Sequence, residues 1–190
     1  GCGCGATSLD LAWAIDPEGS VLGVDISEPM LAVARRRADQ AGYKQIRFVL
    51  GDAQVHPFEA GAFDAVFSRF GVMFFADPIA SFTNLRRALK PTGRLAFVCW
   101  REPKDNPWMM APLMAVYKHV PKMPPVGPEE PGPFAFASEE RVRRILEGAG
   151  FMDVALEPCN LAMDIAIGGG VESISLVQTP QMRVEPDREL

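Results

Sequence analysis

Gly1-Cys2-Gly3-Cys4-Gly5-Ala6, then Thr7 to Ile15, then Val21-Leu22-Gly23-Val24-Asp25, is the stretch on which the fold turns. Leu9, Leu11, Ala12 and Ile15 recur at helical spacing, and Asp16-Pro17-Glu18-Gly19 breaks the pattern. The short apolar run from Val21 to Val24 reads as a strand buried on both faces of a parallel sheet, with Asp25 at its carboxyl end. Glycines at alternate positions directly ahead of a helix let a ligand approach the backbone closely. The free N–H groups and the dipole of the helix end then favour polar or negative groups.

Outward from that stretch the alternation continues. Ser27 can cap a helix with Met30, Leu31, Val33, Ala34 and Ala38 inward and Arg35 to Arg37 on a solvated face, ended by Gly42. Strands are expected at Ile46 to Leu50, Phe63 to Ser68 and Arg94 to Trp100. A helix from Pro78 to Leu89 is capped by Asp77 and faces inward with Ile79, Phe82, Leu85 and Leu89. This βαβα order predicts an α/β fold with a doubly wound, mostly parallel sheet, whose ligand crevice lies beyond the carboxyl ends of the strands. Nine of the 17 prolines fall between Arg101 and Ala137, marking a cap or insertion with a helix from Trp108 to Val120 and an extended connector, PKMPPVGPEEPGP. Ser138 caps a helix to about Gly148, Phe151 to Glu157 and Leu161 to Ile167 are candidate strands, and Gly168 to Gly170 is a break. The expected division is residues 1–100 as a ligand-binding core, 101–137 as the Pro-rich cap, and 138–190 completing the same domain.

The chain has 190 residues, 48% hydrophobic and 23% charged, which is about one globular domain by the usual range of roughly 100 to 200 residues. With 19 basic and 24 acidic residues the net charge is -5, which argues against a nucleic-acid partner, since polynucleotides are held by clustered basic surface. No run approaches the roughly 18 apolar residues of a membrane span and no basic-then-apolar leader opens the chain, so the expected location is cytoplasmic. Cys2, Cys4, Cys99 and Cys159 form no disulfide framework, and a lone Cys-x-Cys without a second ligand pair predicts no metal.

The glycine loop by itself has two readings. As G-x-G-x-x-A it matches the dinucleotide fingerprint, with Asp25 as the ribose-binding acid about 20 residues on; as G-x-G-x-G it matches the nucleotide loop of the S-adenosylmethionine-dependent methyltransferases. DISEPML after the second strand, GDAQVHPF after the third, FDAVFSRFGVMFF in the fourth and LRRALKPTGRLAFVCW beyond it stand in the order and spacing of the class I methyltransferases. From Gly1 to Trp100 the chain resembles that family, and is similar to the small-molecule methyltransferases of ubiquinone and menaquinone synthesis.

The resemblance implies a Rossmann-like fold, S-adenosyl-L-methionine as cofactor, and a role for each matching position. Gly1, Gly3 and Gly5 would pass close to the cofactor. Asp25 would accept hydrogen bonds from both ribose hydroxyls, with Ile26 and Met30 packed near adenine and ribose. Asp52 would accept from the adenine amino group while the N–H of Ala53 donates to a ring nitrogen. Ser68, Arg69 and Phe70 would line the pocket near the methionine moiety. Two departures from the family pattern follow. The apolar strand that leads into the glycine loop has no counterpart ahead of Gly1, and the polar end QTPQMRVEPDREL does not read as the family's last, antiparallel strand. The expectation is a fragment lacking its first and last strands.

Methyl transfer from a sulfonium is an in-line displacement needing alignment and exclusion of water more than a strong acid–base pair. No catalytic residue is assigned. His56, Tyr117 and His119 are weak candidates for a base. Trp108, Met109, Met110, Met114, Phe134 and Phe136 are bulky apolar residues that either pack the cap or form an adaptable lid over a small, partly apolar acceptor. Two other classes share parts of the pattern: an NAD(P)-dependent oxidoreductase, which leaves the Gly51 to Ala53 turn without a use, and a non-catalytic cofactor-binding domain.

Overall fold

The computed structural model describes residues 1–15, 18–122, 124, 127, 129–164 and 175–183. Helix α1 (Ala6–Ala14) leads to strand β1 (Val21–Asp25), helix α2 (Glu28–Ala41) to β2 (Ile46–Leu50), and β3 (Phe63–Arg69) through a short 3-10 turn to α3 (Pro78–Ala88) and β4 (Leu89–Trp100). After these come α4 (Pro107–Val116), α5 (Glu139–Gly148), β5 (Glu157–Asp164) and β6 (Ser175–Arg183). The local signals that predict these elements are visible in place. Gly42 ends α2 in the left-handed region at φ 75°, and Asp77 caps α3 by accepting from Ala80 N at 3.0 Å. Ser138 caps α5 by accepting from Arg141 N at 3.3 Å.

The described strands form two sheets. In one, β1 runs parallel to β2 from Val21 opposite Ile46 to Asp25 opposite Leu50. In the other the order is β3-β4-β6-β5, with β3 parallel to β4 and β6 antiparallel to both neighbours. Parallel pairing brings the carboxyl ends of β3 and β4 together, and the same holds for β1 and β2. The functional residues follow these ends. The main core lies where α3 and α5 cover the second sheet: Phe82, Phe97, Phe136, Val142 and Leu146 are almost fully buried, and the Phe82 ring lies 5.5 Å from Phe97 and 6.0 Å from Phe136. Each such side chain contributes roughly 1.5 to 3 kcal/mol of burial.

Several expectations are corrected. The last antiparallel strand is present as β6, and it includes the polar QTPQMR segment. β6 meets β4 only at Gln181 to Arg183, so Pro180 needs a ladder partner on one side alone and behaves as an edge-strand proline. Phe151 to Glu157 is not a strand; β5 starts at Glu157, and Phe151 packs edge-on against Phe82 at 6.4 Å. The end of the Leu161 to Ile167 candidate and the Gly168 to Gly170 break lie outside the described residues. α4 stops at Val116, ahead of Pro121, which disfavours helix in the residue before it. Ser27 flanks α2 without a side-chain cap bond, and its N–H donates to Asp25 Oδ1. Met30 is not part of the inward stripe: it is 42% exposed, while Leu31, Ala34 and Ala38 are buried.

Candidate functional site

The loop from Gly1 to Gly5 is fixed from three sides. Cys2 N donates to Val24 O at 3.0 Å, Gly3 N donates to Asp25 Oδ2 at 2.7 Å, and Arg37 Nη1 donates to Cys4 O at 3.1 Å. Gly5 takes φ 80°, and a side chain there would begin 2.8 Å from Ala34 Cβ on α2, so only glycine fits. α1 then starts with no side-chain cap and no acid in its first turn, which leaves its positive end unneutralised. A Cβ on Gly1 would lie 3.3 Å from Gly71 Cα and 3.7 Å from Asp25 Oδ2, so the loop lies between the end of β1 and the turn after β3.

Asp25, 8% exposed, closes β1, and its Oδ1 accepts from Ser27 N at 3.0 Å. Its backbone carbonyl accepts from Gly51 N at 2.9 Å, which ties the ends of β1 and β2. Ile26 is 75% exposed and Leu50 is 53% exposed, and the Met30 methyl lies 3.3 Å from where a Cβ on Gly3 would stand. Ile26 and Met30 are therefore surface apolar groups beside the loop and not core.

Asp52 begins a turn in which its Oδ1 accepts from Gln54 N at 3.0 Å. Gln54 Nε2 donates to both carboxylate oxygens, at 3.2 and 3.0 Å, while Gln54 Oε1 accepts from Ala76 N at 2.6 Å. Asn84, on α3, donates from Nδ2 to Ala53 O at 3.1 Å and to His56 O at 3.0 Å. The Ala53 N–H has no partner among the described residues. His56 lies over Gly51, whose added Cβ would meet its Nδ1 at 2.9 Å, and its ring meets Phe58 edge-on at 4.6 Å. That placement makes it packing for the turn.

At the end of β3, the Ser68 hydroxyl is buried with no hydrogen-bond partner among the described residues. Arg69 is exposed, and its side chain makes no ion pair or hydrogen bond among the described residues. Phe70 has φ 63°, an unusual conformation for a bulky residue, held by its N–H donating to Val98 O at 2.9 Å and by stacking on Trp100 at 3.9 Å. Trp108, on α4, meets Trp100 edge-on at 5.5 Å, and its Nε1 is buried without a hydrogen-bond partner among the described residues.

The remaining candidates separate. Phe136 belongs to the core under α3 and α5, not to a lid. Phe134, Met109 and Met110 are half-buried and Met114 is 53% exposed. Tyr117 is half-buried and His119 exposed, both in the turn after α4. Burial pushes the Cys2 thiol up to about 11 and the Cys99 thiol up to about 12. Among the described residues, no group of three or more His, Cys, Asp or Glu could hold a metal ion. Sequence reasoning misses Gln54, Asn84, Arg37 and Trp100. Gln54 is two residues beyond Asp52 and within reach of its carboxylate, a signal that was available; Asn84 and Arg37 arrive from other elements and carry none.

The description "Methyltransferase domain" matches residues 1–97. Over 97 residues the chain is 36% identical to a demethylmenaquinone methyltransferase of Lactococcus lactis, covering 51% of this chain and 38% of that protein. Over 165 residues it is 33% identical to a demethylmenaquinone methyltransferase of Staphylococcus aureus, covering 80% of this chain and 66% of the relative. The chain thus spans between 38% and 66% of the length of these two relatives. A solved S-adenosylmethionine-dependent methyltransferase from Aquifex aeolicus superposes with a TM-score of 0.62 at 21% identity, covering 97% of this chain and 77% of that one, and supports the Rossmann-like fold.

Proposed function

The chain belongs to the methyltransferase-domain family of S-adenosylmethionine-dependent proteins, and from that membership we propose that it transfers a methyl group from S-adenosyl-L-methionine to a small, partly apolar acceptor. The observation that carries this reading is the convergence of the glycine loop, Asp25, the Asp52 turn and Ser68 at the carboxyl ends of β1, β2 and β3. These residues fit the cofactor. Asp25 keeps one lone pair on each oxygen for ribose hydroxyls, and Ala53 has a free donor for a ring nitrogen. Ile26 and Met30 offer exposed apolar surface to the adenine and ribose. The buried, unpartnered Ser68 hydroxyl and the uncapped start of α1 suit the polar methionine end. When bound, the cofactor supplies an activated methyl on a sulfonium. What this chain supplies is alignment and dryness: the loop and Asp25 hold one reactant, and Phe70, Trp100 and Trp108 form an aromatic wall beside it.

The two relatives are named demethylmenaquinone methyltransferases, which supports a ring-bearing acceptor entering beside α4. In this reading residues 1–100 are the cofactor core, 101–137 the cap and 138–190 the completion of the same domain. It includes a cytoplasmic location and no nucleic-acid partner. No helix among the described residues is long and apolar enough to cross a membrane. The test is incubation with methyl-labelled S-adenosylmethionine and a cell extract. Label on a small apolar product is expected; label on RNA or DNA, or binding without any transfer, overturns the proposal. Trp108→Ala is expected to raise the acceptor KM severalfold with little change in cofactor affinity, and equal losses in both would argue against the aromatic wall.

A further inference from the structure

We propose that Gln54 is a positioning residue that sets the site's preference for a 6-amino purine over a 6-oxo purine, an inference that rests on the reading of Asp52 as the acceptor for the base. A backbone N–H can only donate, so the 2.6 Å contact with Ala76 N fixes the oxygen end of the Gln54 amide toward the start of α3. Ser81 Oγ, 3.5 Å from the same oxygen, commits its single proton to Asp77 O at 2.6 Å, so the orientation rests on the Ala76 contact. The NH2 end is thereby turned onto Asp52, where it donates at 3.2 Å to Oδ1 and 3.0 Å to Oδ2.

Counting lone pairs shows what this does. Oδ1 accepts from Gln54 N and from Gln54 Nε2, which fills it; Oδ2 accepts from Nε2 alone and keeps one site open. The carboxylate is held in one orientation with a single vacant acceptor. Beside it Ala53 presents a free N–H, because Asn84 holds the carbonyls of Ala53 and His56 and so fixes the turn. Acceptor next to donor matches a purine edge with an amino group at position 6 and a bare ring nitrogen at position 1. A 6-oxo purine presents the reverse, two acceptors and two donors face to face, and is rejected. The signal crosses from the turn ahead of α3 to the base through one amide, so changing that amide should change which base is preferred, and not only how tightly any ligand binds.

The test titrates the full chain calorimetrically with S-adenosylhomocysteine and S-inosylhomocysteine, as wild type, Gln54→Glu and Gln54→Met, with a thermal melt for each. Wild type is expected to favour the adenosyl ligand at least tenfold. Gln54→Glu keeps the contact to Ala76 N but turns an oxygen toward Asp52 in place of the NH2, so the donor that holds the Asp52 carboxylate in orientation is lost. Its preference is expected to fall at least fivefold, through weaker binding of the adenosyl ligand. Gln54→Met, which keeps the length without hydrogen bonds, is expected to lose preference by weakening the adenosyl ligand, and it carries the test alone if the Glu variant does not fold. A wild-type chain without preference overturns the reading of Asp52 and this proposal with it. A wild-type preference that both variants retain, or equal weakening of both ligands, overturns the role of Gln54 alone and leaves Asp52 standing.

Discussion

Each oxygen of Asp25 accepts one backbone N–H, Oδ2 from Gly3 at 2.7 Å and Oδ1 from Ser27 at 3.0 Å, and so the carboxylate shapes the glycine loop as well as facing it. Asp25→Ala should therefore remove the loop's anchor and any bonds to ribose together. Charge-assisted bonds are worth roughly 1.5 to 3 kcal/mol each, so S-adenosylhomocysteine affinity is expected to fall at least tenfold by calorimetry. An unchanged dissociation constant would show the ribose assignment to be wrong. Cys2 lies in the same loop with its thiol pushed up to about 11 by burial, so the neutral form dominates through neutral pH and the thiolate gains only as pH rises toward that value. Alkylation of Cys2 by iodoacetamide at pH 7.5, followed by peptide mass spectrometry, is expected to run more than about tenfold slower than for a small free thiol. At this scale the sequence was legible for position: Asp25 and Ser68 stand at the ends of β1 and β3, and Asp52 just past β2. It was misleading for Met30, because helical spacing places a side chain on a face but does not say that the first turn of α2 reaches over Gly3 instead of the sheet.

Among the elements, the loop–helix joint at Gly5 packs closely against α2. Gly5 and Gly42 both have positive φ, 80° and 75°, but an added Cβ meets Ala34 at 2.8 Å in the first and nothing within 4 Å in the second. Gly42→Ala should show backbone strain alone, about 1 kcal/mol, whereas Gly5→Ala adds a clash against α2 and is expected to cost about 2 to 4 kcal/mol. Thermal melts check this, with a larger drop for Gly5→Ala; equal drops would mean that α1 and α2 move apart easily. The boundaries of β1 and β2 agree with those read from the sequence, and α3 falls one residue short of its predicted end at Leu89, because caps and apolar runs are local signals. β6 was not legible, since its place depends on which partner each residue meets. Pro180 disqualifies a central strand, yet it lies just past the three residues that pair with β4. Phe136 was grouped with the cap residues, as packing or lid, because it follows the Pro-rich connector, and the fold carries it back under α3 to meet Phe82 and Phe97.

Across the whole molecule, β1 is paired only with β2 and β3 only with β4 among the described residues, so each sheet carries an open edge. Unpaired strand edges recruit other strands, and this 190-residue chain is expected to self-associate at micromolar concentration. Sedimentation velocity checks this, and Ala65→Lys on exposed β3 should reduce the association; a monomer at all concentrations would show that the edges are protected. The glycine loop lies between the ends of those same strands, which is why the site and the sheet's weakest point coincide. Calorimetric titration of this chain with S-adenosylhomocysteine and with NAD tests most directly whether that loop, Asp25 and the Asp52 turn together form the methyltransferase cofactor site. S-adenosylhomocysteine is expected to bind saturably and NAD not measurably, whereas tighter binding of NAD would contradict the assignment at its root.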